Sequence, residues 1–205
     1  MSSSIVAQKR DLRAAVLAAR AALTPGDRAT RSRAIAARLV ALPQLGAART
    51  VALYAPLGTE VDALELAALL DPSRPVYPRC ASGGDRRLEF ARCAPAALVK
   101  GPLGAREPPP GCAAVPLAEL DCVVVPGLAF SLDGHRLGRG GGYYDATLEA
   151  SPRAFRIGVA FEVQLVPAVP REDHDAPLDA IATESRLLIF ERPRAAATPA
   201  TPGSP

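Results

Sequence analysis

The stretch of residues 121–145 reads DCVVVPGLAFSLDGHRLGRGGGYYD. It begins with the uninterrupted apolar run Cys122–Val125, which is rich in β-branched side chains and ends at a Pro-Gly pair. This pattern predicts a buried strand. A glycine-rich segment follows, and the pair Tyr143 and Tyr144 with Asp145 then predicts the start of a helix. The stretch therefore predicts the succession strand, loop and helix, which is the basic unit of an α/β fold.

The loop of this unit combines glycine with positive charge. Its glycines, which carry no Cβ and let backbone N–H groups converge on one ligand, are Gly138, Gly140, Gly141 and Gly142. Arg136 and Arg139 add charge, and the following helix N-terminus also favours an anion. Most glycine runs are flexible turns, and this one is neither a P-loop nor a GxGxxG fingerprint. Its position after a strand nevertheless favours phosphate binding, because ligands of open α/β sheets lie beyond the carboxyl ends of strands.

The composition restricts the possible function classes. A chain of 205 residues suits one domain with a sizeable core, and 49% hydrophobic with 22% charged residues is typical of a soluble globular protein. The net charge of +3 allows an anionic small molecule but lacks the basic patch of a nucleic-acid binder. No apolar run approaches the ~20 residues of a membrane span, and Lys9 with Arg10 interrupts the first apolar run, so no signal peptide is predicted.

The cysteines show no pattern of a metal site or a disulfide framework. Their spacing contains no CxxC pair, and the chain has only two histidines: the four cysteines are Cys80, Cys93, Cys112 and Cys122. Reduced thiols in the cytoplasm are therefore the expectation.

Around the central stretch, the apolar pattern alternates between helix and strand periods. Residues 5–23 predict a first helix, and Thr24 with Pro25 predicts the N-cap and first turn of a second helix towards Leu42. A further helix is expected to end near Leu70. Strands are predicted at residues 50–55, 75–79, 88–92, 156–160 and 186–190, whereas residues 101–116 are too rich in proline and glycine for a helix or a central strand. This alternation predicts an α/β three-layer sandwich with a mainly parallel central sheet and helices on both faces.

The runs VPGLAF at residues 125–130 and GHRLGRGGGYYD at residues 134–145 closely resemble 5-formyltetrahydrofolate cyclo-ligase, also called methenyltetrahydrofolate synthetase. The resemblance is free of gaps here and extends from the first helix to Phe190. It implies a Rossmann-like architecture in a single domain of residues 1–191. Residues 192–205 are rich in alanine, proline, threonine and serine, and this composition predicts a disordered tail.

The resemblance implies an ATP site made by the first helix and the glycine loop. Lys9 and Arg13 match a family Lys-x-x-x-Arg whose residues hold ATP phosphates, although basic residues four apart on a helix usually form a solvated face. Arg20 is a weaker candidate. The loop residues implied for ATP are Arg136, Gly138, Arg139, Gly140, Gly141, Gly142, Tyr143 and Tyr144, and the residues implied for catalysis are Lys9, Arg139 and Tyr143.

Folate contacts are also implied by the resemblance. The family has a glutamate at the Glu60 position that contacts the substrate, whereas the residues alone allow Glu60 or Asp62 to cap the next helix. We assign Glu60 to the substrate and Asp62 to the cap. Residues 104–108, GAREP, resemble a family Gly-x-x-Glu-Pro segment. The remaining residues implied for substrate binding are Arg13, Arg139, Gly140, Gly142 and Tyr143.

Two aspartates are implied as magnesium ligands. They are Asp145 and Asp175, and Mg²⁺ commonly takes one or two carboxylates together with waters and substrate phosphates. By itself, Asp145 could also be a helix cap, and Asp175 could belong to a polar loop outside a strand end. His174 beside Asp175 suggests general-base chemistry, but the chain has no GxSxG motif to support a hydrolase triad, and His174 stays unassigned.

The predicted reaction is the ATP- and Mg²⁺-dependent cyclisation of 5-formyltetrahydrofolate to 5,10-methenyltetrahydrofolate, with release of ADP and phosphate. Two alternatives remain open: a paralogue with the same ATP site and another substrate, and a folate- or nucleotide-binding regulator without turnover. The expected partners are 5-formyltetrahydrofolate and ATP, with no nucleic acid and no membrane. A cytoplasmic monomer is expected, although the sequence leaves the oligomeric state open.

Overall fold

A computed structural model describes residues 2–81, 86–172 and 175–191. Residues 82–85, which lie between the strands predicted at 75–79 and 88–92, His174 and the tail of residues 192–205 lie outside the described residues, so the expected disorder of the tail stays a prediction. The helices are α1 (Ser2–Ala21), α2 (Pro25–Val40), α3 (Pro43–Ala47), α4 (Leu64–Ala67) and α5 (Tyr143–Ala150). The strands are β1 (Val51–Ala52), β2 (Pro75–Cys80), β3 (Leu88–Ala91), β4 (Val99–Lys100), β5 (Arg106–Glu107), β6 (Ala114–Val115), β7 (Cys122–Val125), β8 (Ala129–Ser131), β9 (Arg136–Leu137), β10 (Phe155–Val159), β11 (Leu165–Val166), β12 (Ala180–Ala182) and β13 (Leu187–Ile189).

Eight of these strands form the central sheet, in the order β13-β12-β10-β7-β1-β2-β3-β6. The five inner strands from β12 to β2 pair in parallel, whereas β13 at one edge and β3 and β6 at the other pair antiparallel. The predicted mainly parallel sheet is therefore confirmed. Parallel strands need crossover connections, and these place helices on the faces of the sheet.

The side chains of the inner strands alternate between two cores. On β7, Cys122 and Val124 pack into one core, and Val123 and Val125 pack into the other. The first core is covered by α2, α3 and α4 through Ile35, Leu39, Leu45 and Leu66, and the second is covered by α5 through Leu148. Because strand side chains point to opposite faces in turn, a strand covered on both faces must be apolar at every position.

The predicted helix boundaries agree with the structure at the N-terminal half. Thr24 is the N-cap of α2, and its side chain and that of Asp27 form a reciprocal capping box. Asp62 Oδ1 accepts a hydrogen bond of 3.0 Å from the Leu64 N–H at the start of α4, but the N-cap of this four-residue helix is Ala63 and not the predicted Asp62. In the described part of the chain, no helix has the length and apolar character needed to cross a membrane.

Several strands differ from the prediction. The first strand is only Val51–Ala52. Residues 101–116 agree with the prediction of no helix and no central strand, since they contain only the two-residue strands β5 and β6, and β6 lies at the sheet edge. The strand β12 was not predicted, and it separates Asp175 from β13. The segment before the glycine loop is a hairpin of β8 and β9, whose turn contains Gly134 with φ 86°. An Asp-Gly pair between apolar residues is the signal that could have revealed this hairpin.

Candidate active site

A cavity of about 650 Å³ opens beyond the carboxyl ends of the parallel strands β1, β2 and β7. Residues that directly follow or end these strands, among them Ala55, Cys80 and Pro126, line its wall. This is the edge at which the ligands of an open α/β sheet bind. Apart from the weaker candidate Arg20, every residue predicted for ATP, folate, magnesium or catalysis also lines this cavity: Lys9, Arg13, Glu60, Arg136, Gly138, Arg139, Gly140, Gly141, Gly142, Tyr143, Tyr144, Asp145 and Asp175.

The glycine loop runs from the end of β9 to the start of α5. Gly140 has φ 101° and Gly142 has φ 73°, so both lie in the left-handed region that other residues rarely adopt. Gly142 is the N-cap of α5, and no side chain caps this helix. A Cβ built on Gly142 would meet no protein atom within 4 Å. The left-handed backbone, rather than packing within the protein, therefore requires glycine here.

The first helix contacts this loop through Arg13. Its Nε donates a hydrogen bond of 3.0 Å to the carbonyl oxygen of Gly138. The guanidinium also lies against Gly140, since a Cβ there would be 3.5 Å from Arg13 Nη2. Arg13 thus places a positive charge over the loop and holds the loop on α1.

Lys9, one helical turn earlier, contacts two carboxylates from the other end of the chain. Its Nζ lies 2.8 Å from Glu172 Oε2 and 3.2 Å from Asp175 Oδ2. Burial by itself lowers the pKa of Lys9, but the hydrogen bonds to Glu172 and Asp175 outweigh burial and raise it. The ammonium group is therefore charged at neutral pH and lies at the mouth of the cavity.

Asp145 makes an ion pair with a buried arginine. Arg136 Nη2 lies 2.7 Å from Asp145 Oδ1, the Arg136 side chain is only 4% exposed, and its guanidinium lies 5.8 Å from the Tyr144 ring centroid. Asp145 Oδ1 also accepts a hydrogen bond of 3.4 Å from the Ala176 N–H, which brings it beside Asp175. The alternative of Asp145 as a cap of α5 is wrong, because the N-cap is Gly142 and Asp145 bonds outside the helix.

Glu60 and Arg139 form a second ion pair across the cavity. Arg139 Nη2 lies 2.9 Å from Glu60 Oε1, while Glu60 Oε2 accepts the Leu57 N–H at 2.9 Å. The buried Tyr54 hydroxyl donates to the Val61 carbonyl oxygen at 2.9 Å and so supports the same turn. Burial, followed by the nearby Glu60 charge, raises the pKa of Tyr54 well above its usual value. Glu60 is therefore held by a backbone amide and a movable arginine.

Arg20, the weaker ATP candidate, lies outside the cavity. It is only 2% exposed, and its Nε donates to Thr59 Oγ1 at 2.9 Å. Arg20 therefore has a structural role, because its hydrogen bond to Thr59 supports the turn that carries Glu60. Its position about three turns beyond Lys9 on α1 could not show this, because the contact depends on where α1 packs.

Sequence reasoning missed two acidic residues of the cavity. Glu107 accepts the backbone N–H of Cys80 at 3.2 Å and the Cys80 thiol at 3.4 Å. Burial, with a contribution from Glu107, raises the pKa of the Cys80 thiol to about 11, so this cysteine is not a thiolate nucleophile at neutral pH. The GAREP match already contained Glu107, whereas nothing in the sequence distinguishes Glu172 from other charged loop residues.

The residues around Asp145 and Asp175 fit a magnesium ion. Across the described ranges, no group of three or more His, Cys, Asp or Glu side chains converges on one point. Mg²⁺ does not need such a cluster, because it keeps several waters and binds through one or two carboxylates and substrate phosphates. Asp145 and Asp175 both lie at the cavity wall, and the Asp145 bond to the Ala176 N–H joins their two segments, so these two carboxylates fit that donor set.

Comparison with known proteins identifies the family. The model of the 5-formyltetrahydrofolate cyclo-ligase family matches residues 5–184. The chain belongs to this family. Within the 5-formyltetrahydrofolate cyclo-ligases, the chain is 34% identical over 191 residues to the enzyme of that name from Mycolicibacterium smegmatis, with 90% of this chain and 97% of that protein covered. It is also 34% identical over 174 residues to the Escherichia coli K12 5-formyltetrahydrofolate cyclo-ligase, with 82% of this chain and 96% of that protein covered.

Solved structures of this family share the fold. The NMR structure of Aquifex aeolicus 5,10-methenyltetrahydrofolate synthetase has a TM-score of 0.79 and 31% identity, and covers 93% of this chain and 97% of its own. A 5,10-methenyltetrahydrofolate synthetase from Mycoplasma pneumoniae has a TM-score of 0.68 and 26% identity, and covers 86% of this chain and 98% of its own. The predicted α/β class is therefore confirmed.

Proposed function

We propose that this protein cyclises 5-formyltetrahydrofolate to 5,10-methenyltetrahydrofolate, using ATP and Mg²⁺ and releasing ADP and phosphate. Membership of the cyclo-ligase family supports the reaction. The observation that carries the proposal is the single cavity lined by Lys9, Arg13, the glycine loop, Glu60 and both aspartates. Such a cavity offers cationic groups for a triphosphate and an apolar wall for a flat ring in one space.

The chemistry explains why ATP is consumed. The formamide oxygen on N5 is a poor leaving group, so N10 of the folate cannot displace it directly. Transfer of the γ-phosphoryl group to that oxygen breaks the bond to ADP and gives an imidate-like phosphate. N10 then attacks the formyl carbon, and the C–O bond breaks with loss of phosphate. Neither step needs a covalent bond to the enzyme.

Phosphoryl transfer mainly requires the protein to position the two substrates and to neutralise the phosphate charge. Lys9, Arg13, Arg136 and Arg139, together with the amides of the glycine loop, supply these functions around the triphosphate. Lys9 and Arg139 each have carboxylate partners, and phosphate oxygens replace those partners when ATP binds. The protonated Cys80 thiol takes no part in this scheme.

The folate lies beside Glu60 and Tyr143 in the proposed complex. The Tyr143 ring offers a flat apolar face for the pterin. The Glu60 carboxylate, held by the Leu57 amide, accepts hydrogen bonds from the substrate when Arg139 turns to the phosphate. This exchange couples the binding of ATP to the binding of folate, because the Arg139 side chain that leaves Glu60 is the one that contacts the ATP phosphate.

Magnesium is assigned to Asp145 and Asp175. When bound, it neutralises charge on the phosphate oxygens and brings them beside the two carboxylates. Without a divalent cation, the two aspartates would repel the triphosphate. Arg136 and Lys9 hold the carboxylates in place before ATP arrives.

The remaining features of the proposal concern the whole chain. Residues 1–191 form one domain that works as a cytoplasmic monomer on 5-formyltetrahydrofolate and ATP, without nucleic acid or membrane as a partner. The packing of α1 against β8 and the sheet running from β1 to β13 support a single domain.

The test is the absorbance of methenyltetrahydrofolate formed by purified full-length protein with 5-formyltetrahydrofolate, ATP and Mg²⁺. The product is expected only when all three are present. Product without ATP would contradict the phosphorylation step, and absence of product under every condition would contradict the enzyme and favour a regulator. The variant Lys9→Ala is expected to lose activity, whereas Arg10→Ala, whose side chain is 76% exposed, serves as the matched control.

A further inference from the structure

Cys93 and Cys112 face each other across the antiparallel strands β3 and β6. The ladder pairs Phe90 with Val115 and Ala91 with Ala114, and the Arg92 N–H continues it with a hydrogen bond of 3.0 Å to the Ala113 carbonyl oxygen. The next opposed pair in this register is Cys93 and Cys112. Continued by one residue beyond the Arg92 bond, this register places the two cysteines at a non-hydrogen-bonded position, where Cα atoms of an antiparallel pair are typically about 4.5 Å apart.

The two thiols have the contact and the access that a disulfide requires. Burial and then the nearby Cys112 thiol raise the pKa of the Cys93 thiol, so the two side chains are close, and both residues are partly exposed. Disulfides bridge Cα atoms that are about 4.4–6.8 Å apart, a range that includes the non-hydrogen-bonded pair of an antiparallel ladder. Oxidation therefore needs a rotation of the side chains and no displacement of the strands.

We propose that Cys93 and Cys112 are an oxidation site, at which a low-molecular-weight disulfide converts the two thiols into a cross-strand disulfide. The Cys112 thiolate attacks the oxidant and releases one thiol, and Cys93 then loses its proton as it attacks the Cys112 sulfur of the mixed disulfide and releases the second thiol. The S–S bond of the oxidant breaks and the bond between the two cysteines forms. Two electrons pass to the oxidant, which leaves as two thiols carrying the two protons.

The other cysteines do not compete for this reaction. Cys80 donates its thiol to Glu107, and Cys122 is buried in the core. Burial, followed by the Cys112 thiol, also raises the pKa of the Cys93 thiol to about 11. A weakly acidic thiol is a poor leaving group, so the disulfide, once formed, is slow to be reduced by exchange at Cys93.

A disulfide between Cys93 and Cys112 would affect the cavity wall. The segment between the two cysteines contains β4 and β5 and supplies the wall residues Leu103, Arg106 and Glu107. A disulfide at its two ends restricts the opening of this segment, because the ends can no longer separate. The inference goes beyond the proposed cyclo-ligase activity and does not depend on it.

The test treats the purified full-length protein with oxidised glutathione under native conditions. The expected product is lighter by two hydrogen atoms in the intact mass, and non-reducing peptide mapping places the link between Cys93 and Cys112. Oxidation is also expected to raise the melting temperature by roughly 5 °C, because it removes loop entropy from the unfolded chain. After native trypsin cleavage at the exposed Lys100, the two fragments should stay covalently joined.

Conservative variants separate the pair from the other thiols. Cys80→Ser is expected to oxidise like the wild type, Cys93→Ser is expected to retain one glutathione on Cys112, and Cys112→Ser is expected to form no cross-strand link. A wild-type product that carries glutathione on Cys93 or Cys112, a link between any other pair, or no change of mass after prolonged treatment would each overturn the proposal. The wild-type map decides the matter even where a serine variant fails to fold.

Discussion

Lys9 Nζ lies 3.2 Å from Asp175 Oδ2, although 166 residues separate the two in the chain. The contact joins α1 to the segment before β12 at the mouth of the cavity. It also places the lysine proposed for ATP against an aspartate proposed for magnesium. When a triphosphate and a divalent cation enter together, the lysine can move to phosphate while the cation replaces it on the carboxylate.

Lys9→Ala is expected to weaken ATP binding by roughly 10- to 100-fold, because one charge-assisted hydrogen bond contributes about 1.5–3 kcal/mol. Folate binding should change little, since Lys9 is assigned to phosphate alone. Isothermal titration calorimetry with ATP and with 5-formyltetrahydrofolate measures both affinities. Arg10→Ala, one residue further along α1, is the control and should bind both ligands normally. Unchanged ATP affinity in Lys9→Ala would show that Lys9 does not bind ATP and belongs only to the solvated face of α1.

The two aspartates are expected to share the magnesium requirement but to differ in stability. Asp145→Asn and Asp175→Asn should each raise the Mg²⁺ concentration for half-maximal activity about tenfold or more. Only Asp145→Asn should also lower stability appreciably, by about 1–3 kcal/mol, because it leaves the buried charge of Arg136 unbalanced. Asp175→Asn should lower stability less, because Lys9 keeps its ion pair with Glu172.

Activity titrations with Mg²⁺ and thermal melts without metal check these two effects separately. Asp11→Asn, whose side chain is 68% exposed, is the charge-matched control and should show neither effect. An Asp145→Asn protein that is less stable but has the wild-type Mg²⁺ dependence would leave the residue as an arginine partner only.

Gly142→Val is expected to abolish measurable ATP binding while the protein stays folded. The backbone at φ 73° strains any residue with a Cβ by about 1–3 kcal/mol, and the added side chain points into space that the protein leaves free. The control is Gly111→Val, since Gly111 has φ 93°, also meets nothing within 4 Å and lies outside the cavity. Similar melting temperatures with ATP binding lost only in Gly142→Val are the expected result. Equal ATP binding in the two variants would refute the phosphate loop.

Gly158→Ala is expected to destabilise the fold by about 1–3 kcal/mol through overpacking. A Cβ at this position of β10 would lie 2.7 Å from side-chain atoms of both Phe130 and Leu178, and both of these residues are buried. Gly46→Ala is the matched control, because a Cβ there meets nothing within 4 Å and alanine favours the helix α3. Chemical denaturation of the two variants measures the difference, and equal stabilities would show that the core accommodates the methyl group.

The apolar runs of the inner strands were sufficient to predict the parallel sheet. The strands Cys122–Val125 and Phe155–Val159 are buried on both faces, so every side chain in them must be apolar or hydrogen-bonded. This requirement produces near-continuous apolar runs that can be recognised in the sequence. The edges were harder to predict. Strands such as Arg106–Glu107 and Ala114–Val115 are two residues long and partly exposed, and their pairing depends on partners elsewhere in the chain rather than on a local pattern.

For the site, the sequence by itself determined the chemical groups: the glycine loop, its arginines, and the lysine, glutamate and aspartates that the family resemblance singled out. Local rules and motif matches suffice for these, because backbone freedom and charge belong to individual residues. Only the tertiary structure decided which groups meet. It paired Lys9 with Glu172 and Asp175, Asp145 with Arg136, and Glu60 with Arg139, and it turned Arg20 away from the cavity. These contacts arise from the packing of distant segments, and no short-range pattern encodes the distances between them.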